Sequence, residues 1–291
     1  MLWVYLTLLA VALWAVVNII DKYVISKRLS EPVVYPIITG FVGLIAAIAV
    51  FLFHGVVFPA MNILIVSLLL GILLVIAMIL YCKALKTEDI SRVLPLIYTS
   101  PFFVLLFATI FLNEAFTIQK YFGIFLILIG AVLISIKKTA RITISKAFVL
   151  IMTCSFIYGV HDTLRKYALN YTDFWSVFAF IQIGVFIASL FILYFYFADF
   201  KKILKRRTLA IMITGESLSA VSFFITAIAV SIGFVSLIAA LQATQPFFVL
   251  LYVTIISIFA PKILKEEIKG SVILLKIIAI VCMFIGAYLI I

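Results

Sequence analysis

The chain has 291 residues, of which 67% are hydrophobic and only 11% are charged, and its mean hydropathy is +1.40. A soluble domain is roughly 45–50% apolar and 25% charged, so this composition indicates an integral membrane protein. The net charge of +11 would suggest nucleic acid as a partner of a soluble protein. Here the basic residues fall in short segments between apolar runs, where they orient the chain in the membrane, and we expect no nucleic-acid partner.

Ten apolar runs follow one another along the chain. A helix that crosses about 30 Å of hydrocarbon needs about 20 apolar residues. Runs of suitable length lie near residues 2–22, 33–53, 61–82, 90–112, 117–136, 146–167, 174–197, 209–230, 234–260 and 271–290. They lack the alternation of membrane β-strands and therefore predict transmembrane helices. The basic segment 138–145 is expected to link two sets of five helices, residues 1–137 and 146–291.

The two sets contain an internal duplication. The sequence Pro-Phe-Phe-Val-Leu-Leu at 101–106 recurs letter for letter at 246–251, and Thr99 matches Thr244 at the same offset of 145 residues. Because five helices is an odd number, the second copy must enter the membrane from the opposite side. The predicted fold is therefore an all-α integral membrane protein with ten transmembrane helices in two inverted five-helix repeats, and this plan places a substrate site between the repeats.

The basic residues predict an orientation. Eighteen of the 22 lysines and arginines follow the odd-numbered predicted helices, whereas only Lys120, Arg165 and Lys166 follow even-numbered ones. The positive-inside rule then places the odd segments in the cytoplasm and both termini outside.

The sequence contains no motif for ATP use or hydrolysis. It lacks the phosphate-binding pattern GxxxxGK[ST], HExxH and GxSxG, so we expect neither an ATP-driven pump nor an enzyme. Cys82, Cys154 and Cys282 lie in apolar runs without the spacing of metal ligands. We therefore predict no metal site and no cofactor, and we assign the cysteines to packing.

The helix 4–helix 5 region carries a family resemblance. The 101–106 sequence is followed by Leu-Asn-Glu at 112–114, then by Gln119, Gly123 and Gly130. With Trp14 and Lys22 in the first helix, this pattern resembles the EamA-type permeases of the drug/metabolite transporter superfamily. The resemblance implies a ten-helix transporter without identifying the substrate. It also implies that the termini are often cytoplasmic, which conflicts with the charge pattern and leaves the sidedness open.

Candidate substrate contacts are polar or aromatic residues within the apolar runs. An ionisable side chain at the centre of the membrane costs about 2.5–3.5 kcal/mol, so it normally faces a cavity or a partner. Trp14 with Asn18, and their repeat counterparts Tyr158 with Asp162, are each four residues apart and share one helix face. The predicted substrate-binding residues are Trp14, Asn18, Tyr98, Tyr158, Asp162, Glu216 and Gln242.

Two of these residues, Asp162 and Glu216, are also candidates for proton coupling. Asp162 has an alternative structural role, in which it pairs with Arg165 one turn along the helix within an interfacial cluster that includes His161 and Lys166. Glu216 can likewise pair with the bases at 201–207. Thr99 and Thr244 are interpreted as packing residues because both repeats contain them.

Other residues are predicted to be structural. Glu114 is expected to cap the helix that follows it. Gly123, Gly130 and Gly286 are expected to allow close helix packing. Pro101 and Pro246 are expected to bend their helices.

The sequence thus predicts a multi-pass membrane protein that moves a small polar or amphipathic metabolite by alternating access. Membrane lipids surround it, and protons or a counter-substrate are candidate energy sources. Two alternatives remain open: a flippase for a lipid-linked sugar or amphiphile, and a non-transporting membrane scaffold subunit.

Overall fold

The computed structural model describes residues 1–29, 31–87, 96–135, 146–204, 206–259 and 270–291. The predicted linker 138–145, the beginning of the predicted fourth helix and the side chain of Lys22 lie outside this description. The helices are α1 (Leu2–Lys27), α2 (Tyr35–Phe53), α3 (Met61–Thr87), α4 (Ser100–Phe111), α5 (Ile118–Ser135), α6 (Lys146–Leu169), α7 (Phe174–Ile203), α8 (Arg206–Ile232), α9 (Val235–Gln242), α10 (Gln245–Phe259) and α11 (Gly270–Ile290).

All ten predicted apolar segments contain helix, and the described residues contain no β-strand. Seven helical segments are long and apolar enough to span a bilayer, with α9 and α10 forming one of them. Three shorter apolar helices are Ser100–Phe111, Ile118–Leu133 and Lys276–Ile290. Large apolar side chains such as Leu52, Ile118 and Tyr194 are more than 70% exposed, as expected of a surface that contacts lipid. The all-α membrane fold is confirmed.

The predicted ninth helix is broken, and Pro246 lies beside the break. Helix α9 ends at Gln242 and α10 begins at Gln245, so that Pro246 is the second residue of α10. Pro101 occupies the same place in α4. Proline has no N–H to donate to the preceding turn, and its ring clashes with the carbonyl four residues earlier. The chain therefore restarts its helix at each proline.

Helices α5 and α11 pack against each other along a row of small residues. A Cβ atom built on Gly123 would lie 2.8 Å from the carbonyl oxygen of Gly286, and one built on Gly130 would lie 2.7 Å from that of Ala279. A Cβ atom at either distance would force the two helices apart, so glycine at positions 123 and 130 permits the close approach of the backbones. The remaining large helix contacts join α1 to both α8 and α10, α3 to both α6 and α7, α2 to both α7 and α8, and α4 to both α6 and α9.

Two ends of the helix bundle are well defined. The N-terminal end of the bundle is the end at which α1 begins. There, apolar side chains of α1, α6, α8 and α9 pack together with Leu112, the residue after α4. The helix residues are Trp3, Leu169, Val230 and Val235. At the opposite end, α1, α2, α3, α7 and α8 pack through Val24, Tyr35, Cys82, Ile203 and Met212. The space between these two clusters holds the candidate site.

Candidate functional site

A cavity of about 290 Å³ lies within the bundle. All seven residues predicted to bind substrate line it, namely Trp14, Asn18, Tyr98, Tyr158, Asp162, Glu216 and Gln242. The structure therefore brings together side chains that are up to 228 residues apart in the sequence. Helices α2 and α7 also contribute to the wall, through Tyr35, Thr39 and Gln182, although neither helix carries a predicted site residue. The role of these residues in substrate binding stays a prediction.

One part of the wall, on α6, is a charged group of three side chains. The Asp162 carboxylate oxygen Oδ1 lies 3.1 Å from Arg165 Nη2 and 3.0 Å from His161 Nδ1. Arg165 and His161 are each only 1% exposed, and the guanidinium also lies 5.1 Å from the ring centroid of Phe223. The ion pair between Asp162 and Arg165, which we considered as an alternative to a binding role, is present, and it lies in the cavity wall.

Three buried polar atoms of the cavity wall lack a hydrogen-bond partner among the described residues. They are Tyr98 Oη, His161 Nε2 and Arg165 Nε. Because a carboxylate only accepts hydrogen bonds, His161 donates from Nδ1 to Asp162, and Nε2 of the neutral ring is then an acceptor. Buried polar atoms are normally paired. The cavity therefore offers Arg165 and Tyr98 as donors, and His161 as an acceptor, to a polar ligand.

A second polar group joins three helices. The Tyr35 hydroxyl on α2 donates a hydrogen bond to Asp21 Oδ1 on α1, and the Glu216 carboxyl on α8 faces the hydroxyls of Tyr35 and Thr39. Asp21, Tyr35 and Glu216 are all buried and line the cavity. We did not predict Asp21 or Tyr35 as site residues. The available signal was that Asp21 lies in an apolar run and aligns with Arg165 of the second repeat.

Residues 1–136 match the sequence profile of the EamA-like transporter family. This match covers slightly under half of the chain, and these residues are similar to EamA-like transporters. The predicted resemblance to the EamA-type permeases is thus confirmed, and the protein is a multi-pass integral membrane protein. No curated protein matches the chain significantly.

A solved crystal structure has the same fold. It superposes with a TM-score of 0.74 over 99% of this chain and 96% of the other chain, at 16% sequence identity. At this identity the likeness concerns the fold alone.

Within the EamA-type segment, Glu114 caps a different helix from the one we expected. Its Oε1 accepts a hydrogen bond from the Val235 N–H at 2.8 Å, and its Oε2 accepts from the Ser236 N–H at 3.1 Å and the Ser236 hydroxyl at 2.6 Å. These groups form the first turn of α9, 121 residues away in the sequence. The prediction that Glu114 caps the following helix was wrong, because the positive N-terminal end of α9 lies closer to the carboxylate.

Lys166 is not part of the charged group on α6, contrary to our expectation of an interfacial cluster. Its Nζ donates to the carbonyl oxygens of Val230 at 2.7 Å and Gly233 at 2.8 Å. Lysine thereby satisfies carbonyls at the C-terminal end of α8, where the helix dipole favours a cation. Glu114 and Lys166 together bind both sides of the short turn between α8 and α9.

The two repeated threonines bond to their own backbone. Thr99 Oγ1 donates to the Leu96 carbonyl at 2.6 Å, and Thr244 Oγ1 donates to the Leu241 carbonyl at 2.7 Å. Their hydroxyls therefore stabilise the turns before Pro101 and Pro246. The residues next to them, Tyr98 and Gln242, line the cavity.

Proposed function

We propose that the protein is a secondary transporter that carries a small polar or amphipathic metabolite across the membrane by alternating access around the central cavity. One observation carries this proposal: both halves of a membrane chain whose residues 1–136 match the EamA-like transporter family contribute buried polar and charged side chains to a single cavity. Such groups are costly within a membrane unless they face a cavity or a partner. A cavity with a few convergent polar groups is the usual form of a small-molecule site.

The helix contacts support an inverted repeat. If residues 1–137 and 146–291 are repeats, α1 corresponds to α6, α2 to α7, α3 to α8, α4 to α9 with α10, and α5 to α11. Under this correspondence a contact between α1 and α8 implies one between α6 and α3, and a contact between α3 and α7 implies one between α8 and α2. All four contacts are present. The pairs α2–α7 and α5–α11 map onto themselves. A two-fold relation between the halves gives this pattern, as in many secondary transporters.

Local geometry repeats in the same way. The Thr99 N–H bonds to the Leu96 carbonyl at 3.1 Å, and the Thr244 N–H bonds to the Leu241 carbonyl at 3.0 Å, at an offset of 145 residues. At the later offset of 156, Gly123 corresponds to Ala279 and Gly130 to Gly286. The close approaches Gly123–Gly286 and Gly130–Ala279 therefore exchange with each other.

The contacts at the N-terminal end supply a gate. Glu114 and Lys166 hold the α8–α9 turn by five hydrogen bonds, and the apolar residues around Trp3 pack over the cavity. Access from that end requires these contacts to break. We call the hydrogen bonds from Val235 and Ser236 to the Glu114 carboxylate the latch. The position that corresponds to Glu114 in the second repeat is Gly270, so only one repeat can form the latch.

A ligand screen by thermal shift tests the proposal. Purified protein in detergent would be melted with amino acids, polyamines, sugars, nucleotides and lipid-linked sugars. A substrate binds the folded state and therefore raises Tm as its concentration increases. At 100 times its Kd it stabilises the folded state by about 2.7 kcal/mol. Tyr158→Ala should abolish the shift, because Tyr158 lines the cavity.

The matched control for this screen is Tyr194→Ala, since Tyr194 is 81% exposed on the lipid-facing surface. That variant should keep the shift. Stabilisation by lipid-linked sugars alone would instead favour the flippase. If the protein is well folded and no ligand changes its Tm, the result would contradict metabolite transport and favour the scaffold.

A further inference from the structure

Two acidic side chains of the cavity wall converge on one tyrosine. Asp21 accepts a hydrogen bond from the Tyr35 hydroxyl, and Glu216 faces the same hydroxyl from α8. Each of the three residues is less than 9% exposed. Asp21 and Tyr35 belong to the first half of the chain and Glu216 to the second, so the group joins the two halves.

No positive charge balances this group among the side chains that the structure describes. Neither Asp21 nor Glu216 has an ion-pair partner there, whereas Asp162 pairs with Arg165 at 3.1 Å. Two ionised carboxylates that share one buried hydroxyl repel each other strongly, and such pairs relieve the repulsion by holding a proton. This group therefore differs from Asp162, whose charge is already balanced.

The neighbouring titratable groups do not supply that balance. Tyr81 and Cys82 face the pair from α3, and Tyr158 faces it from α6. All three are neutral in their protonated forms. Among the described residues that line the cavity, the one arginine or lysine is Arg165, and it is bound to Asp162 beside His161.

A further buried hydroxyl lines the same cavity as the pair. The hydroxyl of Tyr98 is buried and has no hydrogen-bond partner among the residues that the structure describes. Tyr98 interacts with Tyr81, which in turn interacts with Asp21. A hydroxyl in this wall can both donate and accept a hydrogen bond, so it can exchange a proton with water in the cavity.

We propose that Asp21 and Glu216, bridged by Tyr35, form a proton-binding site in the cavity wall and that the proton is the coupling ion of this transporter. The site exists independently of transport, but its use rests on the proposed function. One carboxylate takes a proton from the aqueous phase and becomes a neutral carboxyl. Movement of α8 against α1 and α2 changes the distance between the two acids and hence the repulsion that retains the proton, so one conformation binds it and the other releases it to water.

Infrared spectroscopy of the purified protein tests this site without any substrate. At neutral pH the wild-type protein should show the C=O stretch of a protonated, buried carboxyl, and this band should disappear as the pH is raised. Asp21→Asn and Glu216→Gln should each remove it, because either change leaves one carboxylate without a negative neighbour. Tyr35→Phe should shift the band, because the hydroxyl no longer bonds to Asp21.

Two variants serve as controls. Asp162→Asn removes an ion-paired carboxylate, and Asp199→Asn removes one that pairs with exposed Lys202; both should leave the band unchanged. A wild-type spectrum without such a band would overturn the proposal even if every variant failed to fold. So would a band that survives both Asp21→Asn and Glu216→Gln. If no ligand raised Tm but the carboxyl band were present, the proposed transport function would be rejected and the proton-binding site would still be supported.

Discussion

Replacing Arg165 with methionine should destabilise the folded protein by about 3–5 kcal/mol, the usual effect of removing one partner of a buried ion pair. Arg165 is 1% exposed and its Nη2 lies 3.1 Å from Asp162. Methionine keeps much of the side-chain volume but leaves the Asp162 carboxylate without its cation. The measurement is the free energy of unfolding, or Tm, of the purified protein in detergent.

The double variant Asp162→Asn with Arg165→Met separates charge from packing. It removes both charges and should recover a substantial part of the lost stability, because the effects of contacting residues are not additive. The matched control is Lys202→Met, which breaks the exposed pair with Asp199 and should cost at most about 1 kcal/mol. If Arg165→Met and Lys202→Met lowered the free energy of unfolding equally, the buried ion pair on α6 would contribute no more to stability than an exposed pair.

Replacing Glu114 with alanine should cost about 3 kcal/mol, since hydrogen bonds to a charged group contribute about 1.5–3 kcal/mol each but share one carboxylate here. The variant leaves the N–H groups of Val235 and Ser236 at the buried start of α9 without their acceptor. Glu114→Gln keeps an acceptor and should cost less. Thermal unfolding in detergent measures both changes.

This variant should also loosen the N-terminal end. Ser236, which is buried beside Glu114, should react faster as Ser236→Cys with a thiol reagent when Glu114 is alanine. The control is Glu31→Ala, because Glu31 lies 3.9 Å from Lys86 in an exposed pair. A Tm that falls no further for Glu114→Ala than for Glu31→Ala would refute the latch.

Much of the fold follows from hydropathy and spacing. The ten apolar runs predict the helical segments because a membrane-spanning backbone must satisfy its hydrogen bonds within each helix. The repeat of residues 101–106 at 246–251 predicts that Pro101 and Pro246 lie at equivalent places in α4 and α10, as the structure shows. Polar residues within apolar runs, such as Asn18 and Gln242, marked the cavity wall because lipid would not tolerate them.

Contacts between distant segments could not be predicted in this way. Glu114 precedes a helix in the sequence, which suggested a local cap, but its carboxylate reaches α9 on the other half of the chain. Asp21 and Glu216 lie 195 residues apart and meet only because α1 packs against α8. Adjacency in the sequence predicts that Lys166 belongs to the charge cluster with Arg165, but successive residues of a helix point in different directions.

Alternating access is tested most directly by labelling a cavity cysteine from each side of the membrane. Ser219 lines the cavity and would be replaced by cysteine in a chain lacking Cys82, Cys154 and Cys282. A membrane-impermeant thiol reagent would then be applied to either face of sealed vesicles. Exposed reporters, Asn170→Cys after α6 and Lys202→Cys in the last turn of α7, should each label from one face only, and from opposite faces.

Ser219→Cys should react from both faces, because alternating access opens the cavity to each side in turn. Reaction from only one face, with both reporters labelled as expected, would contradict it.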